Sequence, residues 1–478
     1  MPVNTEHSDY KNNKYFWEKC RDAVEGQESV HDKTIQYLPK LEGQTSTEYI
    51  NYLKRALFYN GTQRTVDAMT GLLFRKDPKI EISDSFKPWL KNVDGNGNNL
   101  QTFVEKVADD VMTVGRIGIL VEHPVKTEEV RTKYDSERLG MRPFLTPYKA
   151  ENIINWKFTV VNNVKVLTMV VLKEYHFEAG DDEFTHRSVV KYRVLDLFEN
   201  KYRQRLFVET ENGFVQEGED IYPVIKGRNF NFIPFVLISS KDCDFDVVKP
   251  PILDLVNVNF SHYKTVADLE HGSHFTGLPT VVITGYNKKD NESLKIGSTS
   301  AWILPDPEAD AKYLEFTGQG LAALENRLIS KEKAMAALGA RLLADEKAAA
   351  ETAETNIIKR SGENSVLSSM AKSISYGIQS ALQIMVEWSG STEEVIFEIN
   401  RDFLPVKMDS QMLTALVKAW QSSAISYSEF VRNLQEGEII DSEKTAEDLQ
   451  NEILEEGPKG LGGFSEENLN NSDSQNVQ

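Results

Sequence analysis

Residues 342–360 are LLADEKAAAETAETNIIKR, and this stretch separates two segments with strong helical patterning. Between Asp345 and Asn356 the large apolar residues disappear, leaving only Ala, Thr, Asn and charged residues. Such a segment offers no apolar face to bury against a core. Ala, Glu and Lys are also good helix formers. The stretch is therefore either an exposed helical connection or a loop whose task requires small, mostly acidic side chains.

Apolar residues recur at helical spacing on both sides of this stretch. The N-terminal flank carries a leucine seam with steps of three and four residues, interrupted at Lys331; its members are Leu321, Leu324, Leu328, Met335, Leu338 and Leu342. The seam fits an intramolecular core, a coiled coil or a contact between subunits. The C-terminal flank predicts a long helix over 367–388, with candidate kinks at Ser361–Gly362 and Gly377.

Another helix is predicted upstream of the seam. Residues 250–275 begin with two prolines, which helices tolerate in their first turn, and continue with apolar residues at helical spacing. Between this helix and the seam, residues 277–316 are rich in Gly, Pro and charge and predict a small β-rich insert. The sequence thus predicts two helices that flank an insert of about 40 residues.

The remaining sequence predicts an α+β chain. The N-terminal third is helical, and Thr45 with Glu48 forms a capping-box pattern. From about 142 to 245 the pattern changes to strands, with turns at Asn162–Asn163 and Asn212–Gly213. Residues 393–405 predict one more strand, and residues 408–439 are helical again.

Composition excludes several classes of protein. The 478 residues carry a net charge of −19, with 12 acidic and 2 basic residues after position 432, whereas a nucleic-acid clamp should be basic. Only Cys20 and Cys243 could form a disulfide, which indicates a reducing compartment. The N-terminus lacks the apolar core of a secretory signal, and no apolar run approaches the ~18 residues of a membrane span.

Catalytic motifs are absent from the sequence. It contains no G-x-x-x-x-G-K-[ST], no G-x-S-x-G and no H-E-x-x-H. One cluster, His262, Glu270, His271 and His274, could supply metal ligands, although exposed histidines near a helix end explain it better. We therefore expect a non-enzymatic structural or binding protein without a cofactor or metal.

The order of predicted elements resembles the portal protein of tailed bacteriophages. Residues 37–78, YLPKLEGQTSTEYINYLKRALFYNGTQRTVDAMTGLLFRKDP, are also similar to the opening of a family of portal-like phage proteins. The resemblance covers roughly residues 35–450 and rests on element order and this diffuse block rather than on a sharp motif.

The resemblance implies a division of the chain into named parts. The wing would comprise 1–248 and 357–408, the latter with the long kinked helix and a strand. The stem would consist of the helices 249–276 and 319–344, with the β-rich clip 277–318 between them. The tunnel loop would be 345–356, the helical crown 409–456, and a polar, disordered tail 457–478.

The resemblance also implies a function and partners. Portals are homo-oligomeric rings, typically of about twelve subunits, at one capsid vertex; double-stranded DNA enters and leaves through the channel. The terminase large subunit, a head–tail adaptor and the major capsid or scaffolding protein would be partners. The chain would occur in the virion, and in the host cytoplasm before assembly, without a membrane.

The resemblance also implies site residues, which are those at the positions of the tunnel loop, the clip and the stem. The tunnel loop would place small and charged residues at the channel: Asp345, Glu346, Lys347, Glu351, Glu354 and Thr355. A charged clip tip would dock terminase or adaptor, although as bare sequence it is a solvated loop; it comprises Lys288, Lys289, Asp290, Glu292 and Lys295. The leucine seam would pack between stems.

Two alternatives remain at this stage. A monomeric or dimeric head or neck adaptor shares the structural role but does not require a closed ring. A metal-dependent hydrolase would use His271, His274 and nearby acids.

Overall fold

The computed structural model describes residues 2–124, 140–180, 182, 184–277, 280–284, 308–314, 319–342, 365–401, 403, 410–422, 424–437, 439–440 and 444–456. The chain divides into two compact units, Met1–Arg401 and Asp402–Gln478. Both helices and sheets contribute, which confirms the α+β class. The predicted tunnel loop, the charged clip tip and the polar tail lie outside the described residues.

The helices of the first unit, in chain order, are α1 (Ser8–Glu25), α2 (Gln27–Asp32), α3 (Ser46–Arg55), α4 (Gly61–Leu73), α5 (Leu100–Val114), α6 (Leu253–Gly277), α7 (Gln319–Arg341) and α8 (Val366–Trp388). Its strands are β1 (Lys79–Glu81), β2 (Arg116–Glu122), β3 (Phe144–Lys149), β4 (Ile153–Val161), β5 (Val164–Ala179), β6 (His186–Phe198), β7 (Lys201–Thr210), β8 (Gly213–Ile221), β9 (Val224–Ile225), β10 (Arg228–Asn229), β11 (Phe235–Ser239), β12 (Thr280–Thr284), β13 (Asp310–Leu314) and β14 (Ile396–Glu398).

Local sequence explains one start and one end among the N-terminal helices. The Thr45 hydroxyl accepts a hydrogen bond from the Glu48 amide, and the Glu48 carboxylate accepts one from the Thr45 amide, which confirms the predicted capping box of α3. Helix α5 ends at Val114 and is capped by Gly115, whose φ of 87° lies in the left-handed region that favours glycine. It leads directly into buried strand β2.

The largest sheet is an antiparallel meander of five strands in the order β4-β5-β6-β7-β8. Asn162 and Asn163 both adopt positive φ between β4 and β5, which confirms the predicted hairpin. The turn at Asn212–Gly213 is likewise confirmed, since Gly213 has a φ of 112° at the start of β8.

A second sheet, in the order β11-β2-β3, packs against α8. Helix α8 runs without interruption through Gly377, which the sequence marked as a candidate kink. A Cβ on Gly377 would lie 2.3 Å from Cγ1 of Ile238 on β11. This glycine therefore lets the helix approach the sheet closely. The other candidate kink, Ser361–Gly362, lies outside the described residues.

Arg116, at the start of β2, is buried with 1% exposure. Its guanidinium lies 4.7 Å from the ring centre of Trp156 and 5.9 Å from that of Trp17. Burial lowers its pKa to about 10. Two aromatic faces thus take the place of the hydrogen bonds that usually stabilise a buried cation.

The strand predicted over 393–405 is much shorter in the structure. Only Ile396–Glu398 forms a strand, paired antiparallel with β1. Strand β1, its partner, has only three residues. Among the described residues, a longer β14 would therefore have no backbone groups of β1 to pair with. The prediction gave the position of the strand correctly but made it too long.

The second unit is helical, with α9 (Ser410–Gln421), α10 (Tyr427–Glu436) and α11 (Ala446–Glu456). Trp420 stacks on Phe430, with ring centres 4.8 Å apart, and fixes α9 against α10. In the described part of the chain, no helix is both long and apolar enough to span a bilayer.

Candidate functional site: an antiparallel helix pair

Helices α6 and α7 lie side by side in opposite directions. Near one end of the contact, His262 of α6 lies 3.4 Å from the carboxylate of Glu332 of α7, and the Lys331 ammonium donates to the Ser261 carbonyl at 2.8 Å. Near the other end, Gly272 faces Leu321. Residue numbers therefore rise along α6 as they fall along α7, which only an antiparallel pair allows.

A β-hairpin continues the pair. Strand β12 follows α6, strand β13 precedes α7, and the two strands are antiparallel with Thr280 opposite Leu314. With 25 and 23 residues, the helices are about 37 and 34 Å long at ~1.5 Å per residue. The two predicted helices are thus present, and a strand follows the first and precedes the second. Residues 285–307 of the predicted insert lie outside the described residues.

The leucine seam lies along α7 within the chain. Met335 and Leu342 are buried, and the other four members are half-buried: Leu321, Leu324, Leu328 and Leu338. On the α4 side of the seam, a Cβ on Gly339 would lie 3.2 Å from the methyl group of Thr65. Part of the seam therefore belongs to the core of one chain, and its contact with neighbouring subunits stays a prediction.

Polar groups occupy the middle of the pair. Asn259 is fully buried and donates from Nδ2 to the hydroxyl of Thr62 at 3.1 Å. The His262 ring is buried beside Tyr59, with ring centres 5.5 Å apart. Burial lowers the pKa of His262, while nearby Glu332 acts in the opposite direction. These groups fix the position of the helices more narrowly than apolar contact alone would.

Helix α3 contacts the C-terminal half of α6 through further polar groups. The Tyr52 hydroxyl donates to Asp268 at 2.7 Å, and the Arg55 guanidinium lies 3.0 Å from Nε2 of His274. The His271 ring meets Tyr52 edge-on at 5.3 Å, and burial lowers the pKa of His271. This cluster connects the helix pair to the N-terminal helices.

The contacts of the histidines correct one sequence-based interpretation. His262 is buried and both His271 and His274 are half-buried, so they are not the exposed helix-end residues that the sequence indicated. Among the described residues, no three His, Cys, Asp or Glu side chains are grouped so that they could hold a metal ion. Glu270, the carboxylate of the proposed cluster, does not complete such a group.

A groove of about 400 Å³ runs between the two helices. We call it the α6–α7 groove; it is lined by Asn257, Val258, Ser261, Arg327, Ser330, Lys331 and Ala334. Burial, and then the nearby Arg327 guanidinium, lower the pKa of Lys331. At the rim, the Lys19 ammonium donates to Asn257 at 2.6 Å. The lining is thus basic and partly apolar in a chain that is acidic overall.

Sequence reasoning placed only part of this site. It identified both helices and the seam, but it missed the α6–α7 groove and the contacts of Tyr52 and Arg55. Arg327 and Lys331 stand four residues apart on one helix face, which is a signal the sequence does contain. Their pairing with Asn257 and Ser261 depends on the antiparallel register, which the sequence does not show.

Comparisons with known proteins cover the same region. A protein-family model described as "Domain of unknown function (DUF4055)" matches residues 251–389, which include α6, the insert, α7 and α8. No protein among the curated ones matches the chain.

Several solved structures are similar over most of the chain. One is described as the neck of an empty GTA particle computed with C6 symmetry. It is 11% identical in sequence, the TM-score is 0.37, and the match covers 81% of this chain and 93% of that chain. A second is the virion of a native gene transfer agent (GTA) particle, with 11% identity, TM-score 0.37 and coverage of 84% and 97%. A third, the neck of a native GTA particle computed with C12 symmetry, has 10% identity, TM-score 0.35 and coverage of 85% and 98%.

Proposed function

We propose that this chain is the subunit of a phage portal, a ring at one capsid vertex through which double-stranded DNA is packaged and later ejected. The observation that supports it most is the antiparallel α6–α7 pair continued by the β12–β13 hairpin. In the portal interpretation the helices form the stem, the hairpin begins the clip, and α8 with the five-stranded sheet belongs to the wing.

The helix pair suits the wall of a channel. Its register is fixed by the His262–Glu332 pair and the two hydrogen bonds of Lys331, while the buried Asn259–Thr62 hydrogen bond holds α6 against α4. The contacts of Tyr52 and Arg55 hold α6 against α3. A rigid stem keeps a constant bore while DNA passes, because packed elements move between discrete arrangements rather than deform continuously.

The tunnel loop would line the narrowest part of the channel. Residues 345–356 carry a net charge of −3 on small side chains, and a ring repeats that charge in every subunit. DNA carries one negative charge per ~1.7 Å of axis, and each neutralised phosphate strengthens binding. An acidic lining therefore avoids holding the duplex, while Lys347 makes transient phosphate contacts. Ala and Thr let neighbouring loops approach without filling the bore.

Energy for packaging would come from another protein. The sequence contains no P-loop, so the terminase large subunit would hydrolyse ATP and dock on the clip through Lys288, Lys289, Asp290, Glu292 and Lys295. A head–tail adaptor would use the same end after packaging, and capsid or scaffolding protein would contact the wing. In this role the chain has no catalytic residue.

The alternative function is a head or neck adaptor that acts as a monomer or dimer. Electron microscopy of the purified chain in negative stain separates the two functions. The portal proposal expects closed rings with a central hole wide enough for a DNA duplex. If the chain is an adaptor, we expect particles without a central hole at every salt and protein concentration.

A further inference from the structure

The outer part of the β5–β6 hairpin extends beyond the rest of its sheet. Strand β4 pairs with β5 only as far as Leu172, and β7 pairs with β6 only from Lys191 onward. The pairs from Tyr175–Val190 to Ala179–His186 belong to these two strands alone among the described residues. We call residues 175–190 the aromatic ribbon. A two-stranded ribbon by itself is at best marginally stable in water.

This aromatic ribbon exposes three large aromatic side chains. Tyr175, Phe177 and Phe184 are 53%, 77% and 82% exposed. Because side chains alternate along a strand, Tyr175 and Phe177 share one face, with Val190 opposite Tyr175. Single exposed apolar residues are ordinary, whereas several together on a projecting element mark an interaction surface.

Hydrogen bonds connect the described residues at the tip of the aromatic ribbon. The Asp182 carboxylate accepts hydrogen bonds from the amides of Phe184 and Thr185, both at 2.8 Å, and the Gly180 amide donates to the Thr185 carbonyl at 2.8 Å. These two amides lower the pKa of Asp182. Phe184 is therefore preorganised, which reduces the entropy lost when it binds a partner.

Charge indicates the kind of surface that the ribbon fits. By sequence the ribbon carries four acids, three of them in residues 181–183, and one base, Arg187, for a net charge of −3. Glu178, the fourth acid, already pairs with Lys191 at 3.3 Å. An acidic, aromatic tip is complementary to a surface that is basic and partly apolar. The α6–α7 groove has this character, with Arg327 and Lys331 beside Val258 and Ala334. Its volume of about 400 Å³ falls within the ~300–1,000 Å³ typical of pockets that accept a ligand.

We propose that the aromatic ribbon of one copy docks in the α6–α7 groove of a second copy. The inference rests on the proposed ring, because a cyclic ring uses a heterologous interface in which each subunit presents two different, complementary surfaces. The ribbon and the groove are two such surfaces on one chain. Phe177 and Phe184 supply the apolar contact, and the acidic tip faces Arg327 and Lys331.

Cross-linking tests the proposed contact directly. In a variant with Ser188→Cys, on the ribbon directly opposite Phe177, and Ser330→Cys, a short bismaleimide should join neighbouring chains into a ladder of oligomers on a denaturing gel. Each single variant should give no ladder, which also controls for Cys20 and Cys243. The matched control pair, Val160→Cys with Ser330→Cys, uses an exposed position of the same sheet outside the ribbon and should not form a ladder.

Loss of the aromatic rings gives an independent readout. The double variant Phe177→Ser and Phe184→Ser should raise the protein concentration needed for half-maximal assembly at least about tenfold, as expected for interface anchors. Val160→Ser should leave it unchanged. Both aromatics are exposed, so the melting temperature of the dissociated chain should stay the same, which separates loss of contact from loss of fold.

The outcomes distinguish this inference from the proposed function. Wild-type rings that persist in the double serine variant, with no cross-linked ladder, would overturn the ribbon contact and leave the portal proposal intact. A wild-type chain that never forms rings would overturn the portal proposal itself. Rings together with the ladder from positions 188 and 330 support both.

Discussion

Gly272 of α6 and Leu321 of α7 face each other so closely that a Cβ on the glycine would lie 2.8 Å from Cδ2 of the leucine. The contact lies just before the two helices pass into β12 and β13. A glycine at position 272 lets α6 and α7 pack closely at the end of the pair that is next to the two strands. The close spacing of the helices at this end is therefore favoured by the lack of a side chain at Gly272.

Gly272→Val should separate the helices at this end. The branched side chain would displace the end of the Leu321 side chain. Because that side chain is half-buried and can shift, the loss in free energy of unfolding should lie at the lower end of the about 1–3 kcal/mol that overpacking costs. Urea denaturation of both proteins measures the loss. Combining the change with Leu321→Ala should recover part of it, because the two side chains compete for one space. Additive losses would show that Gly272 and Leu321 do not share that space.

Gly377→Ala should destabilise the first unit by about 1–3 kcal/mol, because the new Cβ would lie 2.3 Å and 2.6 Å from atoms of the Ile238 side chain. Gly71→Ala is the matched control, since it also lies within a helix and its Cβ would meet nothing within 4 Å. The control should stabilise by about 0.5–1 kcal/mol through helix propensity. Equal effects in thermal unfolding would contradict a packing role for Gly377.

His262 should make stability depend on pH below neutrality. Burial lowers its pKa below the ordinary 6.5, so the unfolded chain binds the proton more readily than the folded one. Its contribution is complete above about pH 6.5 and decreases as the pH falls towards the lower folded pKa. In His262→Gln this part of the slope of unfolding free energy against pH should disappear.

Glu332→Gln provides the control for this pH dependence. The Glu332 carboxylate raises the pKa of His262 against the effect of burial, so its removal should lower that pKa further. The pH-dependent loss should then extend to lower pH than in the wild type. An unchanged profile in both variants would show that His262 has the same pKa in the folded and unfolded chains.

Neutralising the acids of residues 345–356 should slow the passage of DNA. With Asp345→Asn, Glu346→Gln, Glu351→Gln and Glu354→Gln, the net charge of this stretch changes from −3 to +1. Added attraction for phosphates should reduce the rate of packaging, most strongly at low salt because counterions screen it. Neutralising three tail acids, Glu466, Glu467 and Asp473, is the control. A rate that equals the wild type at low salt would contradict the proposed role.

Sequence patterns that depend only on neighbouring residues predicted much of the fold. The Thr45–Glu48 capping box, the Asn162–Asn163 hairpin and the long helix near 367–388 all depend on neighbours in sequence. The extent of β14 did not follow from its own residues, because three-residue β1 limits it. A strand's length depends on its partner as well as on its own sequence.

The candidate site was harder to predict because its contacts join distant residues. The Tyr52–Asp268 hydrogen bond and the Gly272–Leu321 contact depend on helix register. The histidines illustrate the difference, since spacing suggested either metal ligands or exposed helix-end residues. In the structure they contact Tyr52, Tyr59, Arg55 and Glu332.

The native mass of the purified wild-type chain tests the central claim most directly. Light scattering coupled to size exclusion should give one species of about twelve times the 54.2 kDa of a single chain. A monomer or dimer at every salt and protein concentration would contradict a ring-forming portal.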